Sequence, residues 1–320
     1  MFDSLFTKLK NSFISFWNTP LLPQPLGIFR LLIAAFTIIQ ALIWYPDWLA
    51  FFGNDGWIQW EISRALNTTW NIHMEHIYKM FHAILGLSET QSVLTFFWLY
   101  IIFAFGLLIG WYTRVWAFFT WFCHYIIMST IPTFVYGVDI FLHIALFYLI
   151  LMPSNKAYSL DLKLGRVNAL PTWGVTLSIR VLQVHICLVY LSAGYEKMLA
   201  ADWWNGNVLW RSLVQPDFRQ FDLTWLSNYP FIPIILSWFT MLIETGYCIG
   251  MWIPRVRVFW LLGIISLHIG IGLFLGLWLF GIIMILLSIS AFGFEAYKDI
   301  KAFKKGSQQN ITSEIKELVS

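Results

Sequence analysis

The sequence predicts an all-α, polytopic transmembrane helical bundle of about eight spans, and three observations carry that prediction. Residues of the AVILMFWYC set make up 59% of the chain and charged residues only 12%, about half the charge that keeps a soluble domain's surface solvated. The apolar residues fall into runs close to the ~20 that one helical crossing of a bilayer requires. Those runs lack the alternation of a membrane barrel strand, and helices satisfy their own backbone groups where lipid offers no partner. A disordered chain, a coiled coil, a collagen and a soluble dinucleotide-binding enzyme are excluded on the same grounds. The 19 Trp suit a protein with many membrane interfaces, where Trp and Tyr sit at headgroup depth.

Residues 1–26 are amphipathic and Pro-bearing, and predict an interfacial helix with Lys8 and Lys10 on its polar side. No small-residue cleavage site follows the first apolar run, so a cleavable signal peptide is not expected. The membrane domain is expected over 27–293, with spans at 27–45, 92–111, 114–131, 134–152, 174–194 and 230–253. Pro132, Pro153 and Pro254 end three of them, because Pro removes a backbone donor and clashes with the preceding turn. The apolar run 256–292 is about twice what one crossing needs, so it is divided near Gly276 into two helices. Two stretches, 46–91 and 195–229, are too polar to span and are expected as large outward loops. Residues 294–320 form a basic tail, expected to be mobile from Gly306.

Basic residues set the orientation. Lys8, Lys10, Arg114, Lys156, Lys163, Arg166, Arg255, Arg257, Lys298, Lys301, Lys304, Lys305 and Lys316 fall on the side of the termini, against Arg64, Lys79, Lys197, Arg211 and Arg219 on the other. The positive-inside rule then places the protein in the cell membrane with both termini cytoplasmic. The net charge of +3 gives no footprint for nucleic acid. Cys123, Cys187 and Cys248 lie singly in apolar runs, the pattern of small buried residues rather than of a disulfide or metal framework.

Each ionisable group at membrane depth costs ~2.5–3.5 kcal/mol on insertion scales, so Arg30, Asp139, His143, Arg180, His185, Glu244 and His268 need explaining. At 100° per residue, Arg180, Gln183, Cys187, Tyr190, Gly194 and Lys197 share one arc of about 100° on the fifth span. His185 and Glu196 fall on the opposite face. Arg180 and Lys197 lie about 25 Å apart along that helix, one near each surface, and Arg180 is expected to snorkel. His143 follows Asp139 by one turn on the same face. Counting residues from the helix ends puts Glu244 and His268 at similar depth, which predicts that they meet. Asp139, Tyr190, Lys197 and His268 are expected to line an outward-facing polar cavity. Trp203 and Trp204 either line that site or anchor the chain at the interface.

The segment LQVHICLVYLSAGYEKMLAADWWNGNVLW, over 182–210, resembles the signature of the HTTM family, which shares its membrane domain with vitamin K-dependent γ-glutamyl carboxylase. The matching positions are Tyr190, Ala193-Gly194, Lys197, Trp203 or Trp204, and Gly206. Further matches in the family's order are Arg30 in GIFRLLIA, YSLD at 158–161, Glu244 in LIETG, Pro254-Arg255 in WIPRVRV and His268 in ISLHIGIGLFLG. The resemblance implies that Lys197 is a base, since the matching lysine of the carboxylase deprotonates a reduced quinol, and it implies a quinol as the cofactor, which the residues themselves do not name. Two departures stand against glutamate carboxylation. Gly137-Val138 replaces an Asn-His pair at the start of the fourth span, and the chain ends soon after its last span, where the carboxylase has a lumenal substrate-binding domain. The chain is thus similar to the stand-alone bacterial branch.

Two readings follow. One is a membrane enzyme with Lys197, His268 and Asp139 as catalytic residues and Tyr190, Glu244, Trp203 and Trp204 as binding residues, acting on a quinol, a lipid or a secreted peptide. The other is a non-enzymatic membrane assembly or peptide-toxin maturation factor, of the kind that matures a sporulation-delaying peptide. The lipid bilayer is a partner in both; no metal site is expected in either.

Overall fold

A computed structural model describes the backbone of residues 2–68 and 70–319, with side chains for residues 7, 10–68 and 70–305. The Lys8 side chain and the side chains of 306–320, on which two of the expectations fall, lie outside the described residues. Among the described residues there is no strand. The helices are α1 (Phe2–Asn18), α2 (Gln24–Trp44), α3 (Trp48–Phe52), α4 (Trp60–Leu66), α5 (Met74–Leu85), α6 (Glu89–Ile109), α7 (Thr113–Thr130) and α8 (Gly137–Leu151). They continue with α9 (Leu160–Lys163), α10 (Trp173–Leu199), α11 (Ala201–Trp204), α12 (Asn207–Val214), α13 (Phe231–Gly250), α14 (Pro254–Leu275) and α15 (Trp278–Val319). The chain divides into two compact units, Met1–Ser178 and Ile179–Ser320.

Each of the eight expected spans is a helix, and six stretches are long and apolar enough to cross a membrane: Gln24–Phe52, Glu89–Ile109, Trp173–Leu199, Phe231–Gly250, Pro254–Leu275 and Trp278–Lys305. The protein is an integral membrane protein. α8 is apolar but only 15 residues long. It starts three residues later than expected because Pro132–Phe134 forms a 3-10 turn and the Asp139 carboxylate accepts the Tyr136 N–H at 3.2 Å, fixing the helix start at Gly137. The division at Gly276 is as expected: this residue has φ +71° and its N–H caps the Gly272 carbonyl. α15 runs without a break through the expected boundary at 293.

The polar stretch 46–91 is built into the first unit rather than left as a loop. Trp48 is fully buried and donates its indole N–H to the Val93 carbonyl at 3.1 Å. Trp60 donates to the Phe52 carbonyl at 3.0 Å, and Ser63 to the Thr130 carbonyl at 2.6 Å. Asn67, the acceptor position of a glycosylation sequon, spends its side-chain N–H groups on the Ser63 and Ser129 carbonyls at 2.7 and 2.6 Å. The stretch 195–229 likewise contains α11, α12 and a 3-10 turn at Thr224–Asn228.

Two motifs latch the first unit together. Arg30, with no exposed surface, donates to the carbonyls of Leu107 (2.8 Å), Leu108 and Tyr158 (2.6 Å). The last carbonyls of α6 have no intrahelical donor, and a guanidinium both bonds them and complements the negative end of the helix. Asp161 does the reverse for α7, accepting the N–H groups of Tyr112 and Thr113 at 3.0 and 3.3 Å. Burial alone would raise the Asp161 carboxyl, but those N–H groups, Asn155 and Arg166 hold it below its ordinary value. Between them Tyr158 adopts φ +53°, and Ser159 caps α9 by accepting the Leu162 N–H.

A second polar cluster sits in the 46–91 stretch. Glu75 receives Arg64 at 2.9 Å and Lys79 at 2.8 Å. Burial pushes the Glu75 carboxyl up, but hydrogen bonds and charge from Lys79 and Arg64 outweigh it and hold the group below 4.5. His73 is buried, which lowers its pKa below 6.5, and the nearby charge of His76 lowers it further. A folded pKa below the unfolded one means that the fold binds fewer protons. The His73 contribution is therefore complete above 6.5 and is lost as pH falls below it, while that of Glu75 persists until pH falls below 4.5. Hydrogen exchange, corrected for intrinsic rates, should show residues 60–85 losing protection between about pH 7.5 and pH 5.5, and His73→Gln should remove most of that pH dependence. Equal protection at both pH values in the unmodified protein would refute the assignment.

Candidate functional site

The site is organised by the polar stripe of α10. Near its C-terminal end Gly194 permits a close crossing with α13: a Cβ on Gly194 would lie 2.7 Å from the Thr245 backbone nitrogen. Glu244, next to Thr245, is thereby brought to Lys197, and the two form an ion pair at 2.8 Å with side chains only 22% and 8% exposed. The Lys197 ammonium also donates to the Ala193 carbonyl at 3.4 Å and lies 5.3 Å from the centre of the Trp203 ring. At such distances an aromatic face stabilises a desolvated cation.

The chain after α10 is folded to keep that arrangement in place. Trp204 donates its indole N–H to the Met198 carbonyl at 2.8 Å, and Trp238 donates to the Trp204 carbonyl at 3.0 Å. Gly206 has φ +77°, and a Cβ there would lie 2.7 Å from the Ile234 nitrogen. The left-handed conformation and the close approach both demand glycine. Trp203 therefore faces the ammonium, whereas Trp204 buttresses the turn onto α13.

Two helical turns back along α10, the fully buried Tyr190 hydroxyl meets His268 Nε2 at 2.9 Å and Ser288 Oγ at 3.2 Å. The Tyr190 ring packs on Tyr247 with centroids 4.5 Å apart. The expected Glu244–His268 contact is not formed: Glu244 pairs with Lys197 and His268 with Tyr190. Residue counting fixed the depth of the two groups but not which side of each helix they occupy. Two turns further, Gln183 donates to the Ala291 carbonyl at 2.8 Å and to Glu295 at 3.1 Å, and accepts from Arg180 at 2.8 Å. Arg180 also lies over the Trp252 ring at 5.6 Å, so it is engaged by protein groups.

Asp139 belongs to the first unit. Its carboxylate takes the Gln40 side-chain N–H at 3.1 Å and the Tyr136 N–H at 3.2 Å. One turn on, His143 Nδ1 faces His124 Nδ1 at 3.4 Å. Ser288, Glu295, Gln40 and His124 are participants that the sequence reading missed. Ser288 and Glu295 carry a legible signal, because they stand seven residues apart on one apolar helix. Among the described residues no group of three or more His, Cys, Asp or Glu is placed to hold a metal ion. The second unit also contains an apolar cavity of about 450 Å³ between α12, α13 and α14, lined by residues such as Leu213, Phe239, Leu267 and Phe274, with Thr240 and Ser266 as its hydroxyls.

Comparison with known proteins identifies the chain at the level of a family. The family model described as the HTTM domain matches residues 18–293. No curated protein and no solved structure matches the chain significantly.

If Gly194 sets the approach of α13, Gly194→Val should lower the melting temperature in detergent, by the ~1–3 kcal/mol typical of overpacking. Gly174→Val, at a position with open space around its Cβ, should cost less, after allowing for the same change of backbone freedom. Equal losses at the two positions would show that the α10–α13 contact is not the constraint.

Proposed function

We propose that this chain, which belongs to the HTTM family, is a membrane enzyme in which Lys197 acts as a base on a substrate that enters from the bilayer. The observation that carries the reading is the Lys197–Glu244 pair, an ammonium and a carboxylate 2.8 Å apart at the end of a transmembrane helix. Within such a pair one proton can pass from the ammonium to the carboxylate with no change in net charge. The resulting free amine can take a proton from a substrate hydroxyl, with Glu244 as the temporary proton holder. The Trp203 face supports Lys197 when the ammonium is restored.

The apolar cavity between α12, α13 and α14 suits the apolar body of an amphiphile. A quinol fits the residues present in kind, because it joins such a body to weakly acidic hydroxyls; once bound it would supply the reducing chemistry. Glutamate carboxylation by this chain alone is not part of the reading. Gly137 and Val138 offer no polar side chain where the carboxylase has Asn and His, and the neighbouring Asp139 carboxylate already receives Tyr136 and Gln40.

In this reading the protein lies in the cell membrane with both termini cytoplasmic, supported by the uneven distribution of Lys and Arg. Reporter fusions after Ser320 and near Asp217 should then report opposite sides; same-side reporting would overturn the orientation.

The activity is tested with purified protein in nanodiscs supplied with a reduced quinol under air. Quinol consumption should exceed that of empty discs and fall by about 10²-fold or more in Lys197→Ala, the scale of a lost general base. Glu244→Gln should fall in the same direction. With labelled CO₂ and a glutamate peptide added, no label should enter the peptide. Consumption at the level of empty discs, or undiminished in Lys197→Ala, would reject the base and favour the assembly or maturation reading.

A further inference from the structure

The polar stripe of α10 continues past the proposed base. Lys197, Tyr190 and Gln183 recur on it every seven residues, two helical turns or about 10 Å apart. Each level is met by polar groups from other helices of the second unit. Glu244 of α13 meets Lys197 at 2.8 Å. His268 of α14 and Ser288 of α15 meet Tyr190 at 2.9 and 3.2 Å. Glu295 of α15 meets Gln183 at 3.1 Å. The stations therefore lie in one column along α10, and α15 supplies two of them at its own seven-residue interval. Ionisable residues inside membrane helices are costly, and chains of Asp, Glu and His there characteristically serve as proton relays.

We propose that the second unit carries a proton path along α10, from the Lys197–Glu244 pair through Tyr190, His268 and Ser288 to Glu295. Each station has the chemistry for this. The Tyr190 and Ser288 hydroxyls and the His268 ring can each donate one proton while accepting another, so a proton passes through the middle level and leaves no charge behind. A proton arriving at His268 Nδ1 releases the one on Nε2 to the Tyr190 oxygen, and the Tyr190 proton moves to Ser288. His268 is 3% exposed, and its Nδ1 is buried without a hydrogen-bond partner, which leaves that edge of the ring open to a donor. Glu295 Oε2 is buried and unpartnered in the same way, while its other oxygen receives Gln183. Arg180 at Gln183, and the Arg257–Asp299 pair at 2.6 Å, frame that end of the column.

The intervals of about 10 Å between levels exceed direct hydrogen-bond reach. The path therefore calls for water in both intervals, the lower of which contains Cys187 on the stripe. The proposal does not depend on Lys197 acting on any substrate, because conduction needs none.

The test uses the full-length protein in liposomes loaded with a pH-sensitive dye, with the membrane potential clamped by potassium and valinomycin and no quinol present. Protons should enter faster than in protein-free liposomes. Tyr190→Phe, which removes one oxygen, should lower the protein-dependent rate by about tenfold or more, and Glu295→Gln should lower it too. Ser192→Ala, on the exposed face of α10, should match the unmodified protein. Melting temperatures of the variants control for folding. Entry no faster than in protein-free liposomes, or an unchanged rate in a folded Tyr190→Phe, overturns the path. Either result can coexist with a Lys197-dependent quinol reaction, so the two ideas fail separately.

Discussion

An ammonium and a carboxylate held 2.8 Å apart between two apolar helices govern the second unit. Such a pair is poor evidence of selection for stability. Replacing both partners with apolar residues is often neutral or stabilising, whereas removing one strands the other at a cost of ~3–5 kcal/mol. The surrounding sequence is nevertheless arranged to keep both charges. Gly194 admits α13, Trp203 covers the ammonium, and Gly206 with Trp204 returns the chain onto α13 at Ile234 and Trp238. What reads along the chain as a scattered signature of Gly, Lys and Trp is, in space, one housing for a charge pair.

The first unit solves a different problem with similar economy. Two consecutive helices must end and begin where backbone groups are partly withdrawn from water. Arg30 satisfies the outgoing carbonyls of α6, and Asp161 the incoming N–H groups of α7. Arg166 joins the assembly by packing over Tyr112 at 4.3 Å and meeting Asp161 at 3.4 Å. The motifs GIFR and YSLD, 128 residues apart at the Arg30–Tyr158 bond, are thus the two sides of one joint. Their role is to fix helix ends, and nothing in their geometry calls for substrate.

The helices were legible because lipid imposes length and apolarity on every crossing. Gly276 was legible because a run of twice the needed length must break, and glycine can take the φ of +71° that a tight break requires. The interior of the stretch 46–91 was not legible. Its Trp residues look alike in sequence whether they anchor at an interface or fill a core, and Trp48 is fully buried while Trp70 is 90% exposed. Within the site, the α10 stripe followed from helical period alone, and its partners beyond α10 come from α13, α14 and α15. Ser288 and Glu295 left a signal in their seven-residue spacing on α15, whereas the assignment of each partner to its level left none. Glu244 and His268 were matched by depth, but a depth leaves the direction around each helix axis free, and that direction assigned them to Lys197 and Tyr190 instead.

The distinction between a scaffold and a working site turns on where the unsatisfied polar groups lie. A network kept only to hold helices together gains most when every buried donor and acceptor is satisfied, since each one left over costs ~1–3 kcal/mol. The first unit meets that standard at Asp139, whose two oxygens each receive an N–H, and at Asp161, which receives donors from four residues. Buried atoms without partners occur in both units, among them Trp121 Nε1, His124 Nε2 and Ser154 Oγ in the first; the second includes His268 Nδ1 and Glu295 Oε2. These two atoms lie on the column that also holds Tyr190 and the Lys197–Glu244 pair. Bare proton-accepting atoms in line with a charged pair make poor glue, and they are what a helix bundle needs if protons are to move through it.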